Sequence, residues 1–472
     1  MNTSVIQKKL LSNFSFTPTS DQEKLVDRMS EFLTDDSAKK VFILKGYAGT
    51  GKTSFIKTLV KTLPECGYSF CLLAPTGRAA KVITDYTSIS ASTIHRIIYE
   101  ITPSKAGTIK VKLASNEVEK RIFIVDEASM ISSGDDKSLL KGRNLMDDLF
   151  SYVYKTNGCS IIFIGDTAQL PPVGEIFSIA LDEKYIEKNF RTKVYTVELK
   201  EVVRQAQGSG ILMNATSLRI LIGKSASEPV LKSEGFKDVE QLFNESLREN
   251  LESQYSGKNS NETLIVCRSN KQANRYNNFI RKNFLGYEKV IDSGDRLMVV
   301  KNNYFWLEKD SSTGFIANGD IIRIKKVMDT EKKFGFNFAD AIIEFIDYPG
   351  EGELQVKLLL DTIDSESPSL SQSDFKKLFN EVYNSFSIKL KAGARLSKTY
   401  TDPYFNALQV KFSYAVTCHK AQGGQWPTVF VDAGYMNESM YNTEYLRWLY
   451  TAVTRATSRL LFVNFDERYF RK

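Results

Sequence analysis

Cysteine is scarce in this chain, and none of it is arranged for chemistry. The five cysteines, Cys66, Cys71, Cys159, Cys267 and Cys418, form no Cys-x-x-Cys pair, and their number is odd. That argues against a thiolate zinc site and a disulfide framework, and for reduced thiols in a cytosol-like compartment. Histidine is scarcer still: His95 and His419 are the only two. Two histidines without cysteine pairs are a poor basis for a metal centre. No apolar run approaches the roughly 20 residues of a membrane span. The opening MNTSVIQKKLLSNFSF has no apolar stretch of signal-peptide length. A cytoplasmic protein with no membrane partner is expected. Internal repeats and long low-complexity tracts are missing too, which sets aside solenoids and disordered scaffolds.

What is present is the usage of an ordinary soluble protein, 42% hydrophobic and 25% charged. At 472 residues the chain exceeds a single core, so two or more domains are expected. Its 63 basic and 56 acidic residues leave a net charge of +7, which permits a polyanionic partner without requiring one. Residues 41–44, 70–73, 122–125 and 161–164 are short continuous apolar runs, each ending in a polar or glycine-bearing turn. Such runs fit strands of a parallel sheet covered on both faces by helices. Between the second and third lies ITPSKAGTIKVKLASNE, with a turn signal at residues 104–107 and alternation through Ile109, Val111 and Leu113. It reads as an inserted hairpin. A second αβ pattern starts near Val194, and TLIVCRSNKQANRYNNFIR within it reads as strand, turn and helix. From about 286 to 408 the style changes to short strands with many turns, apart from a helical spacing over residues 374–389, before the αβ pattern returns. The predicted fold class is α/β, with a mostly β insertion in the second αβ domain.

The segment GYAGTGKT, residues 46–53, follows the strand-like VFILK and precedes the amphipathic SFIKTLVKTL. This spacing makes a glycine-rich loop whose backbone N–H groups, backed by a helix N-terminus, wrap an oligophosphate. Gly46, Ala48, Gly49, Thr50, Gly51, Lys52, Thr53 and Ser54 are the expected ATP-binding residues. Lys52 faces the β- and γ-phosphates, and the Thr53 hydroxyl ligates Mg²⁺. In RIFIVDEASM, Asp126 emerges from a strand end, where it can hold Mg²⁺; Glu127 can orient and deprotonate the attacking water. A third strand, SIIFIGDTAQLPPVG, ends in Asp166 and Gln169, and Gln169 is the candidate sensor of the γ-phosphate.

Together these segments resemble the superfamily 1 helicases, most closely the five-prime-to-three-prime branch that contains RecD and Dda. TPTSDQ, ending in Gln22, resembles the Q motif that reads adenine. LLAPTGRAAKVI and ASTIHR are similar to motif Ia and the short motif after it, VDEASM and GDTAQLPPVG to motifs II and III. ELKEVVRQ, with Arg204, resembles motif IV; FSYAVTCHKAQGGQW resembles motif V; and YTAVTRAT, with Arg455, motif VI. The resemblance implies two RecA-like motor domains with ATP in the cleft between them. It implies arginines Arg204 and Arg455 that stabilise charge on the transferred phosphoryl group, and Gln422 and Gly423 near the nucleotide. It places Pro75, Thr76, Thr93 and His95 of the first domain, and Asn270, Thr417 and His419 of the second, on a single-stranded DNA path. Residues 1–195 become the first motor domain, with a wedge hairpin at about 97–120; residues 196–285 and 409–472 become the second; and 286–408 an SH3-like insertion. The implied activity is ATP-dependent unwinding of forked or tailed duplex DNA, with ATP and Mg²⁺ as cofactors. The residues alone also allow a DNA-binding ATP switch that unwinds nothing, or an RNA motor.

Overall fold

The computed structural model describes residues 2–103, 109–134, 143–203, 208–224, 228–307 and 315–470. The four expected apolar runs lie at the centre of a six-stranded parallel sheet. In chain order its strands are β1 (Lys40–Gly46), β2 (Ser69–Ala74), β3 (Ala91–Thr93), β6 (Arg121–Val125), β7 (Ser160–Gly165) and β8 (Lys193–Leu199), with spatial order β3-β2-β6-β7-β1-β8. Both faces are covered, which is why the runs are continuous rather than alternating. Phe42 and Leu44 of β1 enter one core with Phe55 and Leu59 of the helix Lys52–Glu65. Val41 and Ile43 enter the core on the other face with Phe123 and Phe163. Each side chain so buried contributes about 1.5–3 kcal/mol. β8 crosses the boundary expected at residue 195. Among the described residues it pairs only with β1, from Lys40↔Lys193 to Gly46↔Leu199, so the first motor sheet extends to Leu199. As an edge strand it alternates between buried and half-buried residues, which hid it among the turns.

The expected hairpin forms from β4 (Tyr99–Pro103) and β5 (Ile109–Leu113), paired antiparallel with Ile101 opposite Val111. Its expected turn at 104–107 lies outside the described residues. The hairpin's base belongs to the motor body: the Tyr99 hydroxyl donates to Asp148 Oδ2 at 2.8 Å, and Ala114 N–H donates to the Ile98 carbonyl at 2.7 Å. Asn116 is buried, and its amide donates to the Val153 carbonyl at 3.5 Å.

The second sheet is also parallel. It contains β9 (Val239–Leu242), β10 (Thr263–Cys267), β16 (Ala415–Thr417), β17 (Trp426–Asp432) and β18 (Ala456–Val463), in the order β16-β10-β17-β18-β9. Between β10 and β16 the chain builds a closed five-stranded barrel from β11 (Arg296–Val299), β12 (Ile321–Lys333), β13 (Phe336–Phe345), β14 (Glu353–Leu359) and β15 (Leu408–Phe412). β15 runs through the expected boundary at 408. The helical segment expected at 374–389 is the helix Gln372–Ser385, followed by a second helix, Ala392–Tyr400; Leu378 and Val382 of the first pack on barrel residues Phe336 and Phe338. Most of the barrel's described core is continuous with that of the motor. Leu297, Ile322 and Ile343 share one cluster with Ile265, Phe430 and Leu461 of the second sheet. A buried ion pair reinforces that seam: Arg281 Nε and Nη2 each lie 2.8 Å from an Asp295 oxygen. Among the described residues, no helix is long and apolar enough to cross a membrane.

Candidate nucleotide site and strand path

The loop after β1 is shaped by two glycines in the left-handed region, Gly49 at φ 75° and Gly51 at φ 91°. Gly51 also caps the helix Lys52–Glu65, so the loop amides and the helix N-terminus converge on one space. That space is a cavity of about 440 Å³ between the two sheets. Gly49, Gly51, Lys52, Thr53 and Ser54 line it from the loop, Asp126 and Glu127 from the end of β6, and Asp166 and Gln169 from the end of β7. Gly423, Thr454 and Arg455 line it from the second motor domain.

Lys52 is folded back, its ammonium donating to the carbonyls of Gly46 and Tyr47 at 2.7 and 2.9 Å, with Asp166 at 4.0 Å. Burial raises the Asp126 carboxyl above its ordinary pKa, and the neighbouring Glu127 charge adds to the rise. Tyr86 donates to Asp126 Oδ2 at 3.1 Å. Glu127 adopts φ 50°, ψ 34°. For a residue other than glycine this left-handed conformation costs about 1 kcal/mol or more, and such strain clusters at functional sites. The residue stands at the start of the one-turn 3₁₀ segment Ala128–Met130 and lines the cavity. Gln169 is buried, and its amide oxygen has no hydrogen-bond partner among the described residues. A buried acceptor left open at the rim of a cavity is where a ligand donor or an ordered water would sit.

Three expected contributors stand differently. Gln22 is fully buried: its amide oxygen accepts Thr19 N–H at 3.0 Å, and its nitrogen donates to the Thr50 carbonyl at 3.2 Å. As placed, it props the phosphate loop from behind and presents nothing to a base. Phe16, just upstream of TPTSDQ, does line the cavity. Gln422 donates instead to the Leu170 carbonyl at 2.7 Å, joining the two domains. Arg455 lines the cavity, but its guanidinium is held within its own domain by the Thr451 and Gly424 carbonyls, at 3.0 and 3.1 Å. Arg204 lies outside the described residues.

The expected strand path falls on adjacent strand ends in both domains. Pro75 and Thr76 follow β2 and Thr93 ends β3, which pair with Ala74 opposite Thr93. Thr76 and Thr93 cap the helices that begin there, accepting N–H of Ala79 and Arg96 at 3.2 and 3.3 Å. His95 is half-buried, with its ring 5.8 Å from that of Tyr99. In the second domain Thr417 ends β16 opposite Cys267 of β10, and Asn270 starts the helix that follows β10. His419 is exposed beside them. The Asn270 amide donates to the Glu366 carbonyl at 2.9 Å, so it is tied to the connection between barrel strands β14 and β15. Gly423 brings the two halves together: a Cβ there would stand 2.9 Å from Ala79 Cβ and 3.3 Å from Thr76 Oγ1.

Several site residues were not singled out from sequence. Tyr450, on the helix Thr443–Val453, reaches across the cleft: it accepts Ala48 N–H at 2.8 Å and donates to Asp166 Oδ2 at 2.6 Å. Leu170 N–H donates to Thr451 Oγ1 at 2.9 Å, and Arg447 donates to the carbonyls of Thr167 and Gln169. These second-domain residues lie within or just before YTAVTRAT, but in sequence they merge with an apolar helix.

Two family models match in the order of the two sheets. Residues 19–230 match an AAA domain, and residues 412–463 match a UvrD-like helicase C-terminal domain. The chain is 29% identical to the ATP-dependent DNA helicase Dda of Enterobacteria phage T4, over 60% of this chain and 62% of Dda. It is 28% identical to the ATP-dependent RecD2 DNA helicase of Deinococcus radiodurans, over 43% of this chain and 25% of that one. Protein R530 of Acanthamoeba polyphaga mimivirus is 25% identical, with 94% of this chain and 99% of that protein aligned. The chain spans less than two thirds of Dda and RecD2, and nearly all of R530.

Proposed function

We propose that this protein is a superfamily 1 DNA helicase that binds Mg-ATP in the cleft between its motor domains, moves five-prime to three-prime along single-stranded DNA, and separates the strands of forked or tailed duplexes. One observation carries the reading: a phosphate loop, an acidic strand end and an arginine of the second domain share a single cavity. The names of Dda and RecD2 as ATP-dependent DNA helicases support it.

Binding would draw Lys52 off the Gly46 and Tyr47 carbonyls and onto phosphate. A hydroxyl and a carboxylate beside phosphate oxygens are the donors Mg²⁺ prefers, and Thr53 and Asp126 supply them. The burial that raises the Asp126 pKa suits a site completed by a cation. Bound there, Mg²⁺ would neutralise phosphate charge. Glu127 orients the attacking water and takes its proton, and Gln169 senses the γ-phosphate. Arg455 turns from its own carbonyls towards the developing charge, a contribution of roughly a thousandfold or more in related ATPases. Arg204 shares that role through its resemblance to motif IV. Cleavage of the γ-phosphate removes what Lys52 and the arginines hold in common, and the cleft relaxes.

Pro75, Thr76, Thr93, His95, Asn270, Thr417 and His419 contact the strand through phosphate, sugar and stacking, without choosing sequence. Closing and opening alternates which half grips. The hairpin beside the first half is the wedge, and five unpaired cysteines suit a reducing, cytoplasmic setting. The test is strand displacement from duplexes with a five-prime or a three-prime single-stranded tail. The proposal expects ATP-dependent displacement with the five-prime tail. DNA-stimulated ATP hydrolysis with no displaced strand on either substrate would instead make the protein a DNA-dependent ATP switch.

A further inference from the structure

We propose that Tyr450 is a positioning residue that couples occupancy of the phosphate loop to the second motor domain's grip on the strand. The inference rests on the motor reading above and adds the element through which the second domain senses nucleotide.

Tyr450 is 1% exposed, and its ring is part of the second domain's core, beside Leu446 and Val453. Only its hydroxyl leaves that core, and it lands between two phosphate-facing loops of the other domain. A phenol has one proton to give. Tyr450 gives it to Asp166 Oδ2 at 2.6 Å and accepts Ala48 N–H at 2.8 Å. Ala48 is the third residue of the loop GYAGTGKT. Asp166 directly follows β7 and stands 4.0 Å from the Lys52 ammonium. Burial and the Asp166 charge push the phenol far above its ordinary pKa, so it remains a donor.

Both supports of this hydroxyl depend on the loop's contents. With a triphosphate in the loop, Ala48 N–H faces an anionic acceptor that competes with a neutral phenol oxygen. Lys52 turns to the phosphates, and Asp166 meets new negative charge in place of its nearest cation. The two bonds that hold Tyr450 therefore change together. Their other end is the helix Thr443–Val453, which leads directly to Arg455 and packs in the same core as Val416 and Cys418, the neighbours of Thr417. A buried tyrosine could need polar partners for stability alone. The distinction lies in whether nucleotide and DNA binding are linked through it.

The test is Tyr450→Phe, which keeps the ring and deletes the hydroxyl. Affinity for a labelled oligo-dT is measured by fluorescence anisotropy in ADP, in a non-hydrolysable ATP analogue and without nucleotide. The ratio of the two nucleotide-bound affinities should fall at least about fivefold from its wild-type value, the lower range of coupling between two sites. Affinity without nucleotide should change less than about twofold, since the variant loses linkage rather than grip. Asp166→Ala cuts the same bond from the other side, and the double variant should lose no more coupling than either single one. If Tyr450→Phe does not fold, Asp166→Ala carries the test at the same threshold. An unchanged ratio in variants that bind nucleotide, or additive losses in the double variant, overturns the inference. A wild-type protein whose DNA affinity ignores nucleotide would overturn the motor reading as well.

Discussion

Gln22→Ala separates two jobs that one glutamine could hold. In the structure both ends of its amide are occupied, by Thr19 N–H and by the carbonyl of Thr50 in the phosphate loop, and the side chain is 0% exposed. Truncation leaves a buried donor and a buried acceptor unpaired, at about 1–3 kcal/mol each, so local stability should drop by about 2–6 kcal/mol. The loss should concentrate at the start of the helix Ser20–Thr34 and in the loop above it. Hydrogen exchange followed by mass spectrometry should show amides of residues 20–24 and 49–52 exchanging roughly 30-fold faster or more. Catalytically, a loosened loop holds every nucleoside triphosphate less well, so KM should rise for ATP and GTP alike. Their ratio of kcat/KM should stay within about twofold. Unchanged exchange, with a loss confined to ATP, would refute this and return Gln22 to the role of adenine reader.

Three further outcomes follow from the site. Lys52→Ala should abolish ATP hydrolysis in a folded protein that keeps much of its single-strand binding, because the ammonium faces phosphate and the strand path lies elsewhere; steady-state ATPase and anisotropy check both halves. Glu127→Gln should bind Mg-ATP and hydrolyse it at least about a hundredfold more slowly, the range of one general base; lost ATP binding would move Glu127 from base to metal or structural duty. Replacing residues 102–110 with a short Gly/Ser linker should spare DNA-stimulated ATPase and abolish most unwinding of a five-prime-tailed fork. The cut stops short of Leu113 because Ala114 and Asn116 are bonded into the motor body.

The chemistry of the site was easier to read from sequence than its wiring. Asp126, Glu127 and Asp166 stand out because charge at the end of an apolar run must leave the sheet at its edge. The loop glycines stand out because their spacing has few other uses. Gln22 and Gln422 were visible as residues of motifs, but an amide both donates and accepts, and only tertiary packing assigned them to the Thr50 and Leu170 carbonyls. Tyr450 was hidden because LRWLYTAV is an apolar helix in which a tyrosine ring is indistinguishable from any other core residue. Among the strands, β3 is too short to show a period, while β8 alternates as an edge strand does. β15 looked like the return to the motor domain but closes the barrel instead.

The strand order of the second sheet also bears on how the protein is made. Among the described residues β9 pairs only with β18, and β10 only with β16 and β17, so neither meets these partners until the chain from Ala415 onward has left the ribosome. Leu199 completes the first sheet long before that. At ~5–20 residues per second, β10 waits on the order of ten seconds as an unpaired apolar segment, a period in which nascent chains stick to one another. All five barrel strands are synthesised during the wait, and barrel residues Leu297, Ile322 and Ile343 belong to the same core as Ile265 of β10. The insertion would then act as a placeholder during synthesis, giving one face of an orphan strand an apolar surface until its neighbours arrive. Chains that stop short of Ala415 should be cleared or aggregate rather than accumulate as a half-built motor.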